Sequence, residues 1–234
     1  MIGPILAEGL PALGLSPTAE QRAALERYCR ALLEKNQVMN LTAITDPEEA
    51  ARLHFLDSAA LLALADLRGK SVVDVGTGAG FPGLPLKILE PSIRLTLLDA
   101  QRKRVDFLRE VCQDLGLRDV ECVHGRAEDF AAERREDFDI AVSRAVAALP
   151  VLAELCLPLV RVGGRFLAMK SVDTAGELDA AGRAVRLLGG KLEKPVDYGI
   201  SGTNIRHRLV IITKISETPK KYPRTFAKIK KNPL

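Results

Sequence analysis

One short segment places a carboxylate and three glycines at regular spacing, Asp74-x-Gly76-x-Gly78-x-Gly80, at the end of the apolar run Val72–Val75. Glycine tolerates positive φ angles and lets the backbone approach a ligand closely. The N–H groups of such a turn, with the first turn of a following helix, favour negatively charged or electron-rich groups. We therefore expect a ligand cradle here, although the carboxylate could instead cap the turn.

The spacing of the glycines discriminates between ligand classes. A dinucleotide-binding turn has the pattern G-x-G-x-x-G, but the sixth position counted from Gly76 is Phe81. A phosphate loop ends in G-K-[ST], which Phe81-Pro82 does not resemble. The pattern D-x-G-x-G-x-G instead resembles motif I of the class I S-adenosylmethionine-dependent methyltransferases.

A second carboxylate, Asp99, ends the next apolar run, 23 residues after Gly76. In an open parallel sheet, ligands bind outside the carboxyl ends of the strands, where the strand order reverses. An acidic side chain at this place can accept hydrogen bonds from a ribose diol. Asp99 therefore favours a ligand that contains a nucleoside, and the alternative is an N-cap of the following helix.

A sheet is needed to bring these two carboxylates together. From residue 71 onward, short apolar runs alternate with segments of helical length, which predicts βαβ units and an α/β, doubly wound, mostly parallel sheet of seven strands. The last two strands lack a helical spacer and are expected to form an antiparallel hairpin at one edge. The predicted strands are Ser71–Val75, Arg94–Asp99, Val120–His124, Phe138–Ser143, Arg165–Lys170, Lys191–Tyr198 and Arg208–Thr213.

A helical extension is predicted ahead of the sheet. Ser16-Pro17 is typical of a helix start, and Asp46-Pro47 predicts the start of a second helix that continues to Leu64. We expect three regions: an N-terminal helical segment in 1–66, a cofactor-binding α/β domain in 67–217, and a basic tail in 218–234 that packs on this domain or extends from it.

Composition excludes several broad classes of protein. With 47% hydrophobic residues and a net charge of +4 over 234 residues, the chain does not have the composition of a disordered protein. No apolar run approaches the roughly 20 residues of a membrane-spanning helix. The N-terminus lacks the positive charge of a secretory signal, so we expect a cytoplasmic protein. Four widely spaced cysteines without a C-x-x-C pair argue against a metal site.

Positive charge is concentrated at the C-terminus. Residues 218–234 carry six basic and no acidic side chains, whereas the preceding residues include 28 basic and 30 acidic ones. A solvated tail and a contact with a phosphate backbone both explain this distribution. The candidates for binding nucleic acid are Lys170, Arg206, His207, Arg208, Lys220, Lys221 and Arg224.

Further segments along the chain form a single pattern with the glycine turn. They are Asn40–Ile44, His54–Ser58, Asp74–Pro85, Leu97–Asp99, Lys103-Arg104, Arg126–Glu128, Ser143–Val146, Tyr222–Arg224 and Asn232–Leu234. In order and spacing they resemble the bacterial ribosomal RNA small subunit methyltransferase G family, formerly glucose-inhibited division protein B. The match spans about residues 40–234. The chain departs from the family's pattern at Ala100, Ser171, Ala227 and Ile229.

This resemblance implies an enzyme that uses S-adenosylmethionine to methylate N7 of guanine 527, in the 530 loop of 16S rRNA, within the small ribosomal subunit. It also implies a cofactor pocket built from the glycine turn and the ends of the following strands. Its members would be Asp74, Gly76, Gly78, Gly80, Phe81, Asp99, Ala127, Glu128 and Arg144.

The residues themselves agree with an acceptor that needs no general base. Guanine N7 carries an unprotonated lone pair, so orientation and desolvation provide the catalysis. The segment Ser143–Val146 differs from the Asp/Asn-Pro-Pro-aromatic motif of amine methylation, and Cys156 lies in an apolar run typical of a core. We predict no catalytic base. Arg144 either positions the target or forms a structural ion pair, and His54 and Asp57 either line the pocket mouth or pack.

Three other functions remain open at this point. A methyltransferase of small molecules or proteins would keep the fold and the cofactor but leave the basic tail unexplained. A nicotinamide-dependent oxidoreductase disagrees with Phe81 in place of the third glycine. A non-catalytic RNA-binding module would use the glycines only for a tight turn. No oligomeric partner is indicated.

Overall fold

The structure, a computed structural model, describes residues 2–144, 147–173 and 175–234, so Ala145 and Val146 of the predicted motif lie outside the described residues. The helices are α1 (Gly3–Ala12), α2 (Ala19–Met39), α3 (Pro47–Ala50), α4 (Asp57–Leu64), α5 (Gly83–Leu89), α6 (Arg102–Asp114), α7 (Ala127–Glu133), α8 (Leu149–Cys156), α9 (Ala175–Leu187) and α10 (Phe226–Lys231). A π-helical turn, Ala51–Leu56, joins α3 to α4.

The strands form one sheet with helices on both faces. They are β1 (Ser71–Val75), β2 (Arg94–Asp99), β3 (Val120–His124), β4 (Phe138–Arg144), β5 (Val160–Ser171), β6 (Gly190–Leu192), β7 (Val196–Gly199) and β8 (Arg206–Lys214). The strand order is β3-β2-β1-β4-β5-β8-β6, with β7 also paired to β8. Strands β1 to β5 are parallel, and β8 is antiparallel to its neighbours. The order reverses at β1, where such sheets bind ligands.

The described stretch of the chain contains eight strands instead of seven, because the sixth predicted strand is divided in two. Leu192 pairs with Ile212, and Val196 pairs with Leu209. Between these pairs the β6–β7 segment has one residue more than β8, which produces a bulge. Pro195 lies in this gap and cannot donate a ladder hydrogen bond. The antiparallel pairing is as predicted, but β8 lies inside the sheet, between β5 and β6.

The helix starts follow local capping chemistry. Thr18, and not Ser16 as predicted, caps α2: its hydroxyl accepts from the N–H of Gln21, whose side chain accepts from the N–H of Thr18. Asp46 caps α3 as predicted, because its side chain accepts a hydrogen bond from the N–H of Glu49 at 2.9 Å. Helix α2 contacts the glycine turn of the sheet, because the Oη of Tyr28 donates to the carbonyl oxygen of Ala79.

Two hydrophobic clusters cover the two faces of the sheet. Val72 belongs to the cluster under α1 to α6, and its neighbour Val73 belongs to the cluster under α7 to α10, as alternation along a strand requires. Leu25 of α2 is buried in the same cluster as Leu97 of β2. The N-terminal helices therefore share a core with the sheet, and the division into three regions stays a prediction.

Within the described residues, no helix combines the length and the apolar character needed to cross a lipid bilayer. The same residues include no cluster of three His, Cys, Asp or Glu side chains placed to hold a metal ion.

The C-terminal segment packs on the face of the sheet that carries α7 to α10. Arg135 donates hydrogen bonds to the carbonyl oxygens of Pro219 and Tyr222, and Ile229 of α10 is fully buried.

Candidate active site

A cavity of about 430 Å³ lies at the carboxyl ends of β1, β2 and β4, where the strand order reverses. Its size is typical of small-ligand sites. The wall combines the glycine turn and the ends of two further strands with side chains from the N-terminal helical segment. The lining residues are Leu41, Thr42, His54, Gly76, Thr77, Gly78, Ala79, Phe81, Asp99, Ala100, Gln101, Arg104 and Arg144.

The glycines of the turn have two different tasks. Gly76, Gly78 and Gly80 have φ angles of 71°, 62° and 110°, a region that favours glycine. A Cβ on Gly78 would meet no atom within 4 Å, so this residue presents open backbone to the cavity. A Cβ on Gly80 would lie 2.5 Å from the Oη of Tyr28. Gly80 therefore allows α2 to pack closely on the turn and does not line the cavity.

Asp74 supports the turn from beneath and does not reach the cavity wall. Its Oδ2 accepts hydrogen bonds from the Oγ1 of Thr77 at 2.7 Å and the N–H of Gly83 at 2.8 Å. Its Oδ1 is buried without a hydrogen-bond partner among the described residues. Burial raises the pKa of Asp74 to about 6. The observed contacts are those of the turn-capping carboxylate that the sequence left open.

Asp99 lies on the cavity wall with room for further hydrogen bonds. Its Oδ2 accepts from the N–H of Gly78 at 2.9 Å, and its Oδ1 accepts from the N–H of Gln101 at 2.8 Å. Each carboxylate oxygen has two lone pairs, so both can accept a second donor from a ligand. Arg104 lies 3.5 Å from Oδ2, which explains a cation in the first turn of α6, where the helix dipole disfavours it.

Arg144 forms the opposite wall and is held on several sides. Its Nη1 donates to the carbonyl oxygen of Leu53 at 2.9 Å and to Oδ2 of Asp57 at 3.0 Å. Its Nη2 lies 3.1 Å from Nδ1 of His54. The guanidinium carbon lies 5.1 Å from the centre of the Phe81 ring. His54 and Asp57, three residues apart in sequence, therefore both position Arg144.

The contact with Arg144 determines the protonation of His54. An arginine can only donate, so Nδ1 of His54 must accept and the ring is neutral. The ring proton is then on Nε2, which donates to the Oγ1 of Thr42 at 2.8 Å. Burial, followed by the charge of Arg144, lowers the pKa of His54 to about 4. The lone pair of this histidine is therefore already in use.

Comparison with known proteins shows which family this chain belongs to. The model of the GidB family, rRNA small subunit methyltransferase G, matches residues 21–208. The chain belongs to this family. A ribosomal RNA small subunit methyltransferase G of Clostridium botulinum (strain Loch Maree) is 48% identical over 210 residues, 88% of each chain. One of Alkaliphilus oremlandii is 47% identical over 233 residues, 98% of each chain.

Membership in the methyltransferase G family confirms the predictions of a methyltransferase and of S-adenosylmethionine as its cofactor. Solved structures show the same fold. A SAM-dependent methyltransferase from Aquifex aeolicus has a TM-score of 0.54 at 18% identity, covering 74% of this chain and 96% of that one. TYW2 from M. jannaschii, solved in complex with AdoMet, has a TM-score of 0.51 at 14% identity, covering 64% and 69%. The predicted fold class, an α/β fold with a doubly wound, mostly parallel sheet, is confirmed.

Two residues that the family resemblance assigned to the cofactor lie outside this cavity wall. Ala127 and Glu128 begin α7, after β3. The Oε1 of Glu128 accepts a hydrogen bond from the N–H of Phe226 at 3.1 Å, and Arg126 lies over the Phe226 ring at 5.5 Å. The contacts seen at α7 therefore attach the C-terminal segment, and a cofactor contact for Ala127 and Glu128 stays a prediction.

Arg224 forms a closed ion pair with Glu154 on α8. Its Nε and Nη2 donate to the two carboxylate oxygens at 2.8 and 2.6 Å, and its backbone N–H donates to Oε1 at 2.9 Å. The Glu154 side chain is completely buried. These contacts make Arg224 an anchor of the tail, and an RNA contact for Arg224 stays a prediction.

The other predicted RNA-binding residues divide into engaged and exposed groups. Lys170 donates to the carbonyl oxygen of Ala147 and forms an ion pair with Glu177 at 2.8 Å. Arg208, which lies opposite Lys170 in the pairing of β5 with β8, forms an ion pair with Asp197. The exposed group comprises Arg206, Lys220 and Lys221, with Lys228, Lys230 and Lys231 on α10.

Sequence reasoning named most of the motif residues but not their contacts. Thr42, Gln101 and Arg104 line the cavity without having been selected as site residues. The signal for Arg104 was a cation at a helix start, which opposes the helix dipole. Thr42 lies in the connection before α3, and nothing in its local pattern indicates that it meets His54.

Proposed function

We propose that this chain methylates N7 of guanine 527, in the 530 loop of 16S rRNA, and acts on the small ribosomal subunit in the cytoplasm. Membership in the methyltransferase G family supports rRNA as the substrate. The observation that supports N7 as the methylated atom is that the ionisable side chains of the cavity already hold other groups by hydrogen bonds. In the described wall, His54 uses its lone pair for Arg144, and Asp99 holds two backbone N–H groups. An acceptor that presents a lone pair without a proton fits such a wall.

The described wall also fits the cofactor. Asp99 offers acceptors to ribose hydroxyls, and the open side of Gly78 lets a ligand approach the backbone. Arg104 can donate to a carboxylate. These residues would hold S-adenosylmethionine, which supplies a methyl group on a sulfonium with a good leaving group.

The chain's own residues contribute orientation and exclusion of water. The Phe81 ring is 5% exposed and stacks on the His54 ring, with 4.6 Å between ring centres. Such a rigid, apolar surface limits the poses of a planar base and keeps water from the reacting atoms. Arg144, held over the same ring, is positioned to donate to O6 of the guanine or to a phosphate.

The three predicted regions of the chain would share this work. The N-terminal helical segment, residues 1–66, contributes Thr42 and His54 to the cavity, and the α/β domain, residues 67–217, contributes the cofactor site. The tail, residues 218–234, would bind the RNA backbone through its exposed lysines. The buried Ile229 and the contacts of Arg135 fix these lysines on a rigid surface, which lowers the entropy cost of binding.

Transfer of a radiolabelled methyl group tests the proposal. The protein would be offered small subunits that lack this methyl group, bare 16S rRNA, tRNA and total protein. Label in 16S rRNA, mapped to N7 of guanine 527 by cleavage at the methylated base, is expected. Label confined to tRNA, protein or small molecules would overturn it. Asp99→Ala should abolish labelling and cofactor binding, whereas Asp106→Ala on the exposed side of α6 should change neither.

A further inference from the structure

The carboxylate of Asp57 is the meeting point of four elements beside the cavity. Its side chain is 1% exposed. Its Oδ2 accepts from Arg144 at 3.0 Å, and its Oδ1 accepts from the Oη of Tyr198 at 2.9 Å and Nδ1 of His207 at 2.8 Å. Helix α4 thus reaches β4, β7 and β8 through one side chain. Burial alone would raise the pKa of Asp57, but the His207 hydrogen bond and the Arg144 charge hold it below its usual value.

The arrangement leaves some donors of Arg144 for a ligand. A guanidinium has five N–H groups, and the contacts within the described residues account for three of them. The side chain is 14% exposed and lies on the cavity wall. The other two N–H groups have no partner among the described residues, and we expect them to meet the target base.

A guanidinium without a carboxylate partner would slow this reaction if it lay beside the target base. In the proposed step the N7 lone pair forms a bond to the methyl carbon, and the methyl–sulfur bond breaks with its electrons going to sulfur. One positive charge passes from sulfur to the guanine ring, and no proton moves. An unpaired cation within a few ångströms of the ring would oppose that charge, because Coulomb interactions are strong in a partly desolvated site. A carboxylate against the guanidinium cancels most of this effect and leaves its hydrogen bonds intact.

We propose that Asp57 is a positioning residue for methyl transfer, which directs Arg144 toward the target base and cancels its charge while the base becomes positive. This inference rests on the proposed function. A carboxylate is needed because both oxygens accept, one from Arg144 and the other from Tyr198 and His207. An asparagine has one acceptor oxygen and would lose one side of the network.

Asp57→Asn is the direct test, measured on small subunits as a single-turnover methylation rate, a KM for the subunit and a Kd for the cofactor. We expect the rate to fall roughly 30- to 100-fold, as when a preorganised charged contact is lost. The KM should not rise, because removing a negative charge favours RNA, and the cofactor Kd should stay within about threefold. Tyr198→Phe, which keeps the carboxylate, should cost only a few-fold in rate.

Asp139→Asn is the matched control for stability. Asp139 is a half-buried carboxylate near the start of β4, the strand that ends with Arg144, and it is bonded to Ser71 and Arg161 away from the cavity. It should keep the rate even where it lowers stability. The inference is overturned if Asp57→Asn keeps the wild-type rate, or if rate, KM and cofactor binding deteriorate together as far as stability predicts. In either case methylation by the wild-type protein still tests the proposed function separately.

The double variant Asp57→Asn/Arg144→Gln covers the case in which Asp57→Asn folds poorly. It leaves no unpaired buried charge, which makes it the better folded of the two. If Asp57 acts through Arg144, the double variant is no slower than Arg144→Gln alone. If the double variant is slower than Arg144→Gln by the roughly 30- to 100-fold expected for loss of Asp57, the residues act independently and the inference is wrong.

Discussion

Two buried carboxylates in this molecule each hold an arginine, but they hold it differently. Glu154 takes the Nε and Nη2 of Arg224 side by side and the arginine's backbone N–H as well. Asp57 takes a single Nη of Arg144 and divides its other oxygen between Tyr198 and His207. We call the first a closed pair, because all the side-chain contacts described for it join the arginine to the one carboxylate. We call the second an open pair, because its arginine lines the cavity.

This difference indicates that the first pair mainly stabilises the fold, whereas the second takes part in the reaction. The closed pair fixes the C-terminal segment to α8, because the Nε and Nη2 of its arginine both bind the one buried carboxylate. In the open pair, the carboxylate has other donors and the arginine has N–H groups left for a ligand. Removal of Arg224 should therefore be measured mainly as lost stability, and removal of Arg144 mainly as lost activity.

The largest effect is expected for Arg224→Met. It leaves Glu154 buried without its cation, which costs about 3–5 kcal/mol of unfolding free energy. Urea unfolding followed by circular dichroism measures this value. Lys220→Met, at an exposed position of the same segment, should change stability by about 0.5 kcal/mol or less. A loss below about 1 kcal/mol for Arg224→Met would contradict the closed-pair interpretation.

The second prediction concerns Arg144→Met. A lost charged hydrogen bond to the target is expected to slow methyl transfer by roughly 100-fold, about 2.7 kcal/mol. Stability should fall less than in Arg224→Met, because Tyr198 and His207 still donate to Asp57. Calorimetry should show the cofactor affinity nearly unchanged. Weakened cofactor binding that accounts for the whole loss of rate would show that Arg144 serves the cofactor alone.

The contrast also explains what the sequence could predict. The strands and the D-x-G-x-G-x-G turn are local patterns, read from alternation and from glycine spacing. The turn and the first five strands are present where predicted, whereas the sixth predicted strand is divided in two. The pairing of Arg224 with Glu154 joins residues 70 positions apart, so no local pattern in the basic tail could predict it. A usable signal was Glu154 itself, a lone charge in an apolar helix, which needs a buried partner.

A similar limit applies inside the cavity. Gly78 and Gly80 are equivalent by spacing, and only the approach of Tyr28 from α2 gives them separate tasks. The neutral state of His54 depends on Arg144, 90 residues later in the chain. Tertiary packing between the N-terminal helices and the sheet decides both features, and no local pattern encodes it.

The third prediction compares two glycines of the turn: Gly80, which packs against Tyr28, and Gly78, which has open space beside it. Gly80→Ala should cost about 2 kcal/mol of stability, because its φ of 110° is unfavourable and its Cβ would overlap Tyr28. Gly78→Ala has open space and should cost only about 1 kcal/mol, but should weaken cofactor binding several-fold. Urea unfolding and calorimetry on both variants test this. Equal cofactor affinities for the two would remove the distinction.

The smallest expected effect is a pH dependence that comes from His54. Its pKa is lowered to about 4 by burial and by Arg144, so between pH 6.5 and 4 the unfolded chain binds a proton that the folded chain does not. Stability should therefore fall by about 1–2 kcal/mol from pH 7 to pH 5 through this group. Asp74, whose pKa is raised to about 6 by burial, acts with the opposite sign over this range.

The variant His54→Phe isolates the histidine from such opposing groups. It keeps a ring against Phe81 but has nothing to titrate, so its unfolding free energy should decrease less than that of the wild type between pH 7 and pH 5. Urea unfolding of both proteins at the two pH values gives the difference directly. An equal decrease in the two proteins would mean that folding does not lower the pKa of His54. The hydrogen bond that Arg144 donates to Nδ1 of His54 would then not hold the ring neutral, and the open pair would have lost one of its supports.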